Sequence, residues 1–324
     1  MATTVVTSNK NNMIQVFRAL AILLVVTSHT CPLGACQYLL RPFINTSVAT
    51  FLFLSGYLTK TENDDWGGFF KKRIIRVAVP YLIWTVLYTL TDDVKRLPFN
   101  LLTASAASQL YFIFVYIQCV LLTPLLGRLA RSRYQAVGWI ITPVAVILFS
   151  YLKVFHVVDY PSIVGVAWWD SFLGWLTYYY MGLVLGNRII VKHFSLHNLV
   201  VLFLLSMVLQ IGEGYGWHLY GEVDCGTLHK LSTLLTSSLF LLIIHTVLER
   251  GMDVKSKLIR QIGDYSFGIY LCHILVMLGL MQLPHYNVIP FPVNSVILLF
   301  ASYGACLLVH KLCGNRISRY LGVI

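Results

Sequence analysis

Residues 17–29 read FRALAILLVVTSH, an apolar run with an arginine near its start and a histidine at its end. Arg18 and His29 lie eleven positions apart, and at about 3.6 residues per turn this separation returns nearly to the same helix face. The rise between them is roughly 16 Å, because a helix advances about 1.5 Å per residue. Ionisable groups within a membrane span usually face the bundle interior. The run therefore predicts a membrane helix that directs both side chains into one interior cavity.

The composition indicates that lipid surrounds most of the chain. Hydrophobic residues make up 57% of it and charged residues 11%, with a mean hydropathy of +0.73. A soluble domain usually carries about 25% charged residues. The net charge of +11 would also suit nucleic acid. Excess Lys and Arg in cytoplasmic loops explains it better in a membrane protein, so we expect no nucleic-acid partner.

Ten apolar runs are candidates for membrane spans, since a helix needs about 20 residues to cross the hydrocarbon core. They cover residues 13–31, 43–60, 74–91, 108–126, 136–155, 171–187, 196–212, 229–248, 266–283 and 293–312. No small-residue cleavage site follows the first run, which we interpret as a retained span. The sequence thus predicts an all-α, polytopic bundle of about ten spans, and one membrane domain over residues 1–324.

The charges of the loops predict the orientation of the bundle. Cations dominate the loops that follow the even-numbered runs: Lys60, Lys71, Lys72, Arg73, Arg76, Arg128, Arg131, Arg133, Arg188, Lys192, Arg250, Lys255, Lys257, Arg260, Lys311, Arg316 and Arg319. The other loops hold seven of the thirteen acids and few cations, the acids being Asp92, Asp93, Asp159, Asp170, Glu213, Glu222 and Asp224 and the cations Arg41, Lys95 and Arg96, with Lys153 and Lys230 at span edges. Basic loops usually stay in the cytoplasm, so both termini are predicted to be cytoplasmic.

A second cationic motif begins the third run. Residues 69–81 read FFKKRIIRVAVPY, and Arg73 and Arg76 share a helix face at i and i+3. These cations could simply anchor the helix on the cytoplasmic side. Alternatively, their guanidinium groups bind the phosphates of a coenzyme A (CoA)-like donor, and Arg18 does the same from the first run. Arg76 is the stronger candidate of the two because it lies further into the helix.

Two other motifs lie late in the chain. Residues 263–273 read GDYSFGIYLCH, which sets Tyr270 and His273 on one helix side, with Asp264 or Ser266 as a cap. A structural hydrogen bond within the bundle is the simpler role of His273.

Small residues and thiols predict packing. Gly182 and Gly186 form a GxxxG pair that allows close helix approach. The seven cysteines show no metal-ligand spacing, and we expect no metal site. A disulfide among Cys31, Cys36 and Cys225 stays open.

In their order, these motifs resemble acyltransferase family 3, a family of polytopic membrane acyltransferases. The family has Arg and His separated by ten residues in the first span, then an SGY or SGF, then an aromatic and basic FFxxRxxR segment ending in Pro-Tyr, and a late SFGIYLxH. The corresponding residues here are Arg18 and His29, Ser55 to Tyr57, Phe69 to Tyr81, and Ser266 to His273. Together they extend over nearly the whole chain.

The resemblance implies an O-acyltransferase of a bacterial cytoplasmic (inner) membrane. Its co-substrate would be cytoplasmic acyl-CoA, with acetyl-CoA preferred and no permanently bound cofactor. Its acceptor would be a hydroxyl of a surface glycan or of a lipid-linked precursor. The acceptor's identity, the acyl group and the oligomeric state, including a homo-oligomer, stay open.

The resemblance also assigns roles to residues. By motif, His29 would be catalytic, and Arg18, Arg73 and Arg76 would lie on the donor side. Beyond the motif match, we expect Arg18 to take part in catalysis, Tyr81 to bind the donor, and Ser55, Gln109, Tyr270 and His273 to bind the acceptor. Two positions depart from the family: Gln15 replaces an Asp three residues before Arg18, and Gln109-Leu110-Tyr111 replaces a His-Leu-Trp. An amide at 109 can position a hydroxyl but cannot carry its proton.

Two mechanisms and two other functions remain alternatives. His29 could act as a general base on a sugar hydroxyl, or the acyl group could first rest on a protein group. Ser28, Ser55 and Tyr57 are candidate relays. A transporter or flippase of a glycan would also use intramembrane charge, although the two halves show no symmetry. A purely structural membrane domain would not need Arg18 and His29 on one face.

Overall fold

The chain is all-helical in the residues that the computed structural model describes, 2–191, 193–222 and 225–324. In chain order the α-helices are α1 (Ala2–Thr30), α2 (Cys36–Leu39), α3 (Arg41–Ile44), α4 (Thr46–Tyr57), α5 (Trp66–Leu90), α6 (Leu97–Thr103), α7 (Tyr111–Ala130), α8 (Ala136–Val146), α9 (Leu152–Val154), α10 (Ser162–Trp169), α11 (Leu176–Gly186), α12 (Leu196–Leu219), α13 (Leu231–Glu249), α14 (Lys257–Asp264), α15 (Ser266–Met281) and α16 (Val293–Tyr320). A π-helical segment and three 3-10 turns complete them: Ile147–Tyr151, Val94–Arg96, Phe172–Gly174 and Tyr286–Val288. Two of the predicted loop charges, Lys192 and Asp224, lie outside the described residues.

Seven helices of the described ranges are long and apolar enough to cross a membrane, and α14 with α15 makes an eighth if that pair, bent by 76°, is one span. The seven are Asn12–Thr30, Trp66–Leu90, Tyr111–Ala130, Val137–Val154, Leu196–Leu219, Leu231–Glu249 and Val293–Tyr320. Their apolar side chains face outward along much of their length, for example Leu202 and Leu205 on α12, which are 49% and 57% exposed. The chain is therefore a polytopic membrane protein.

The other two predicted spans, 43–60 and 171–187, differ from the expectation. They contain α4 and α11, which are 12 and 11 residues long. At about 1.5 Å per residue neither helix reaches more than about 18 Å, whereas the hydrocarbon core is about 30 Å thick. Both are buried along nearly their whole length by neighbouring helices. Seven or eight spans are thus present by length, and the cytoplasmic placement of both termini stays a prediction.

Glycines bring α4 and α11 together along their backbones. A Cβ added at Gly182 would overlap the carbonyl oxygen of Phe53 and come within 2.8 Å of the Tyr57 amide nitrogen. Gly56 shows the reciprocal arrangement, since its Cβ would overlap the Tyr179 carbonyl. The prediction that the GxxxG pair serves helix packing is therefore confirmed, and the glycine of the SGY motif serves the same contact.

Replacing Gly182 by alanine is expected to destabilise the protein by about 1–3 kcal/mol, because the new methyl group must displace backbone atoms in a packed interior. Gly212→Ala is the matched control, since Gly212 lies on α12 with open space around its Cα. That change should be neutral or slightly stabilising, because alanine favours a helix over glycine by about 1 kcal/mol. The apparent Tm of both variants, measured by thermal shift in detergent, checks the difference. Equal values would disprove the close contact.

Helix α1 lies at the centre of the bundle. It packs against α4 on one side and against α14, α15 and α16 on the other. Gly263 allows the approach of α14, because a Cβ there would overlap the Gln15 carbonyl. The two largest clusters of buried apolar side chains both include residues of α1. The helix that carries Arg18 and His29 is therefore held from several directions.

Candidate active site

A cavity of about 560 Å³ lies beside Arg18, near the middle of α1, and we call it the cationic cavity. Four cations line it, Arg18, Lys72, Arg73 and Arg76, together with one carboxylate, Asp264. The rest of the wall is largely apolar and aromatic: Phe51, Ser55, Leu58, Phe69, Val77, Phe112, Ile113, Tyr116, Ser266, Phe267, Tyr270, Gly322 and Ile324. Its volume is within the range of about 300–1,000 Å³ usual for small-molecule sites. An excess of guanidinium and ammonium groups suits a polyanion with an apolar portion.

Arg18 faces this cavity rather than lipid. Its Nη1 donates a hydrogen bond of 3.4 Å to Oε1 of Gln15, the residue that replaces the family's aspartate. A carboxylate on another helix, that of Asp264, interacts electrostatically with Arg18 and lines the same cavity. A full negative charge therefore remains near Arg18, although Gln15 itself carries none.

Arg73 and Arg76 both line the cavity from α5, as the basic motif predicted, and Arg73 is the more buried of the two. Arg73 is half-buried, donates to the Ser55 hydroxyl at 3.5 Å, and lies 5.4 Å from the ring centroid of Phe69. Arg76 is exposed. Both arginines line the cavity, so the ranking of Arg76 over Arg73 as the phosphate ligand stays a prediction.

A second cavity, of about 190 Å³, contains His29, and we call it the histidine cavity. It lies at the C-terminal end of α1, where Val25, Ser28 and His29 form one wall. The remaining lining combines polar and aromatic groups: Arg41, Ile44, Asn45, Ser47, Val48, Ser108, Gln109, Tyr111, Phe112, Trp169, Gly226, Thr227, Leu228 and Tyr270. Gln109 donates to the Tyr88 hydroxyl at 3.0 Å, and its Oε1 has no protein partner. That oxygen can accept a hydrogen bond from a hydroxyl, as the departure at this position predicted.

His29 and His273 form a ring pair, with centroids 5.0 Å apart. His273 was expected to bind the acceptor, but it is fully buried and lines neither of these two cavities. Its Nδ1 lies 2.8 Å and 3.1 Å from the carbonyl oxygens of Tyr270 and Ile269. Carbonyls only accept, so Nδ1 carries the proton, and the bare Nε2 has no partner. His273 thus has the predicted structural hydrogen bond and also supports the ring of His29.

The sequence predicted one interior cavity for Arg18 and His29, whereas the structure has two cavities that share the lining residues Phe112 and Tyr270. These two rings meet edge to face with centroids 5.6 Å apart. The Tyr270 hydroxyl donates to the Gln109 carbonyl, which fixes its ring in this wall. Within the described residues, Phe112 and Tyr270 are the side chains common to the two linings.

Two predicted site residues lie elsewhere than expected. Tyr81 does not line the cationic cavity: it is buried, and its hydroxyl donates to the carbonyls of Asn100 and Leu101 at 3.1 and 2.8 Å. These bonds hold α6 against α5, and the donor role of Tyr81 stays a prediction. Ser55 lines the cationic cavity and not the histidine cavity, so it lies beside Arg73 rather than beside His29.

The helix cap expected in the late motif is also wrong. The N-cap residue of α15 is Tyr265, and its side chain makes no capping hydrogen bond. Asp264 instead ends α14 at the bend between the two helices, with its carboxylate on the cationic cavity. The signal for this role was present in the sequence, because an acid beside an apolar run is unusual.

No disulfide joins Cys31, Cys36 and Cys225, all of which lie in the described part of the chain. Cys31 lies close to the start of α2, with its Sγ 3.9 Å from the Cys36 carbonyl oxygen. Partial burial raises the pKa of the Cys31 thiol. None of the three thiols belongs to the lining of the histidine cavity.

Comparisons with known proteins agree with this architecture. The model of the Acyl_transf_3 family, described as an acyltransferase domain, matches residues 11–311. No curated protein and no solved structure matches the chain. The match extends from the start of the first span to the last, and includes every lining residue of both cavities except Gly322 and Ile324. The chain therefore belongs to acyltransferase family 3 and is a membrane acyltransferase.

Proposed function

We propose that this protein transfers an acyl group, preferentially acetyl, from cytoplasmic acyl-CoA to a hydroxyl of a cell-surface glycan or its lipid-linked precursor, in the inner membrane of a bacterium. One observation carries the proposal. A cationic cavity at Arg18, near the middle of α1, and a histidine cavity at the C-terminal end of α1 share Phe112 and Tyr270. The two substrates of such a reaction could enter from opposite sides and meet at this wall.

The donor fits the cationic cavity by charge and shape. CoA carries a 3′-phosphate and a diphosphate, and Arg18, Lys72, Arg73 and Arg76 offer ammonium and guanidinium donors for them. Aromatic side chains, including Phe69 and Phe267, offer faces on which an adenine ring can stack. The pantetheine arm would then extend along α1 toward His29, over roughly 16 Å at 1.5 Å per residue.

The chemistry requires a base beside the wall. In the proposed step His29 accepts the proton of the acceptor hydroxyl as its oxygen attacks the thioester carbonyl. The carbon–sulfur bond breaks, the ester forms, and the CoA thiolate leaves and takes the proton from His29. The ring contact with His273 holds the imidazole in place, and Gln109 can hold the acceptor hydroxyl. Direct transfer needs no other nucleophile.

The environment of Glu213 gives no support to a transporter. This acid, which was expected at the edge of a span, lies within α12. Its carboxylate accepts hydrogen bonds from the Tyr151 hydroxyl and the Ser232 amide, and it lines neither the cationic cavity nor the histidine cavity. It therefore joins helices rather than facing a translocation path.

The test uses purified protein in nanodiscs with acetyl-CoA and a glycan extract. We expect release of free CoA that depends on the extract, together with ester formation on the glycan detected by mass spectrometry. Intact movement of an unmodified glycan across the bilayer, without CoA turnover, would instead establish a flippase and contradict the proposal.

A further inference from the structure

A third cavity, of about 340 Å³, borders the histidine cavity, and we call it the tryptophan cavity. Trp168, Trp169 and Trp217 line it, and Trp169 and Thr227 also line the histidine cavity. These two residues therefore border both this cavity and the site of His29. Recognition of the donor beside Arg18 makes no use of this cavity.

His229 lies in this cavity inside a cage of aromatic rings. Its ring centroid is 4.7 Å from that of Trp168, 4.5 Å from that of Trp169 and 4.8 Å from that of Trp175. The fourth side is closed by Gly174, where a Cβ would come within 2.7 Å of Nε2. His229 is 2% exposed. A residue this enclosed has a fixed ring orientation.

Neither nitrogen of His229 has a hydrogen-bond partner in the described residues. A buried polar group without a partner is costly, so such groups in native proteins are usually satisfied. Burial lowers the pKa of His229 to about 3, so the ring is neutral at physiological pH. A neutral imidazole offers one donor and one acceptor, and a sugar hydroxyl can satisfy either.

The rest of the lining favours a sugar over an apolar molecule. Indole faces carry negative partial charge, which attracts the C–H groups on the face of a pyranose ring. Polar side chains, among them Lys153, Glu222 and Thr227, lie in the same wall and suit the hydroxyls at the ring's edge. A fatty acyl chain would leave His229 without a partner and would remove water from this polar wall without replacing its hydrogen bonds.

We propose that the tryptophan cavity binds a neutral pyranose ring of the acceptor, stacked on Trp169, and that His229 hydrogen-bonds one of its hydroxyls. His229 is thus a positioning residue, and the hydroxyl to be acylated projects past Trp169 and Thr227 toward His29. This inference rests on the proposed function, because it assigns the acceptor subsite of the same reaction.

Saturation-transfer NMR on nanodisc-embedded protein tests the inference with methyl β-D-glucopyranoside, methyl β-D-galactopyranoside and methyl N-acetyl-β-D-glucosaminide as probes. We expect at least one probe to bind the wild type. His229→Phe, which fills the cage without polar atoms, should weaken that probe about tenfold, the usual value of one hydrogen bond. Trp169→Leu should weaken it comparably. His229→Gln, which keeps a donor and an acceptor, should restore part of the affinity.

Matched controls separate this role from folding. His193→Phe changes an exposed histidine, and Trp66→Leu changes a tryptophan at the start of α5 that lines none of the three cavities. Both should bind the probe as the wild type does. Affinity for CoA, measured by calorimetry on every variant, reports whether the donor end is intact.

The outcomes are distinct. Loss of probe binding in His229→Phe and Trp169→Leu, with CoA affinity kept, supports the inference. A wild type that binds CoA but none of the pyranosides, or variants that bind the probe unchanged, would overturn the inference and leave the proposed function standing. Binding of octanoate in place of the sugars would also overturn it. A wild type that does not bind CoA would contradict the proposed function itself.

Discussion

Replacement of His29 by alanine is expected to reduce kcat for acyl transfer by about 10²–10⁴-fold, the usual contribution of a general base. His29 is the imidazole that lines the histidine cavity, and it stands beside the Phe112 and Tyr270 wall behind which the thioester would arrive. Without it the hydroxyl must attack with its proton still bound. Stopped-time assays of CoA release with saturating acetyl-CoA and glycan extract measure the change.

The expected loss lies in kcat, since His29 does not line the cationic cavity and has no phosphate to hold. Affinity for CoA should therefore stay within about twofold of wild type, which calorimetry tests, whereas a collapsed fold would lose it. His193→Ala, an exposed change, is the control for loss of a histidine as such. Full activity of His29→Ala would remove the base from the mechanism, and a matching loss in His193→Ala would point to an indirect effect.

Several residues that line the cationic and histidine cavities could be predicted from local sequence spacing. Arg18 and His29 share a face of α1 because eleven residues span almost a whole number of turns, and α1 is helical throughout that stretch. Arg73 and Arg76 share a face for the same reason. The α4 and α11 contact was also visible as small residues four apart. These features depend on periodicity within one helix, which a sequence contains.

The errors arise where side chains are placed by other helices. Tyr81 ends the basic motif, but its hydroxyl meets the carbonyls of Asn100 and Leu101, and nothing local to the motif specifies α6 as a partner. Ser55 was expected to bind the acceptor, but it lines the cationic cavity, where Arg73 of the following helix donates a hydrogen bond to its hydroxyl. The wall of Phe112 and Tyr270 joins residues more than 150 positions apart, as the contact between Tyr270 and Gln109 does.

The tryptophan cavity shows the same limit more strongly. Trp168, Trp217 and His229 come from α10, α12 and the segment before α13, and no spacing relates them. The available signal was a Trp-Trp pair beside Asp170, outside the long apolar runs. The half-buried Asp170 carboxyl has a pKa raised to about 6 by desolvation.

Apolar composition predicted which segments lie in the membrane. The predicted spans at α4 and α11 were longer than these helices, because apolar runs indicate burial in protein and in lipid alike.

Replacement of Arg18 by glutamine is expected to weaken CoA binding by roughly 10–150-fold, the loss of one charged hydrogen bond of about 1.5–3 kcal/mol. Glutamine keeps a polar head on a shorter side chain but removes the charge. The deficit should appear for CoA and largely vanish for pantetheine, which carries no phosphate. Because Lys72, Arg73 and Arg76 share the cavity, part of the affinity should survive.

Arg131→Gln is the matched control for this change. Arg131 follows α7, is 40% exposed in its side chain, and pairs with Glu62 at 2.9 Å outside the cationic cavity. An exposed pair of this kind contributes only about 0–1 kcal/mol to stability and should not affect CoA. If the ratio of CoA affinity to pantetheine affinity were the same in Arg18→Gln as in the wild type, the guanidinium would not contact a phosphate. Asp264 also lines the cavity and interacts electrostatically with Arg18, so the remaining explanation would be a structural ion pair between α1 and α14. In that case Arg18→Gln and Asp264→Asn should both lower the stability of the protein, and neither should lower its affinity for CoA.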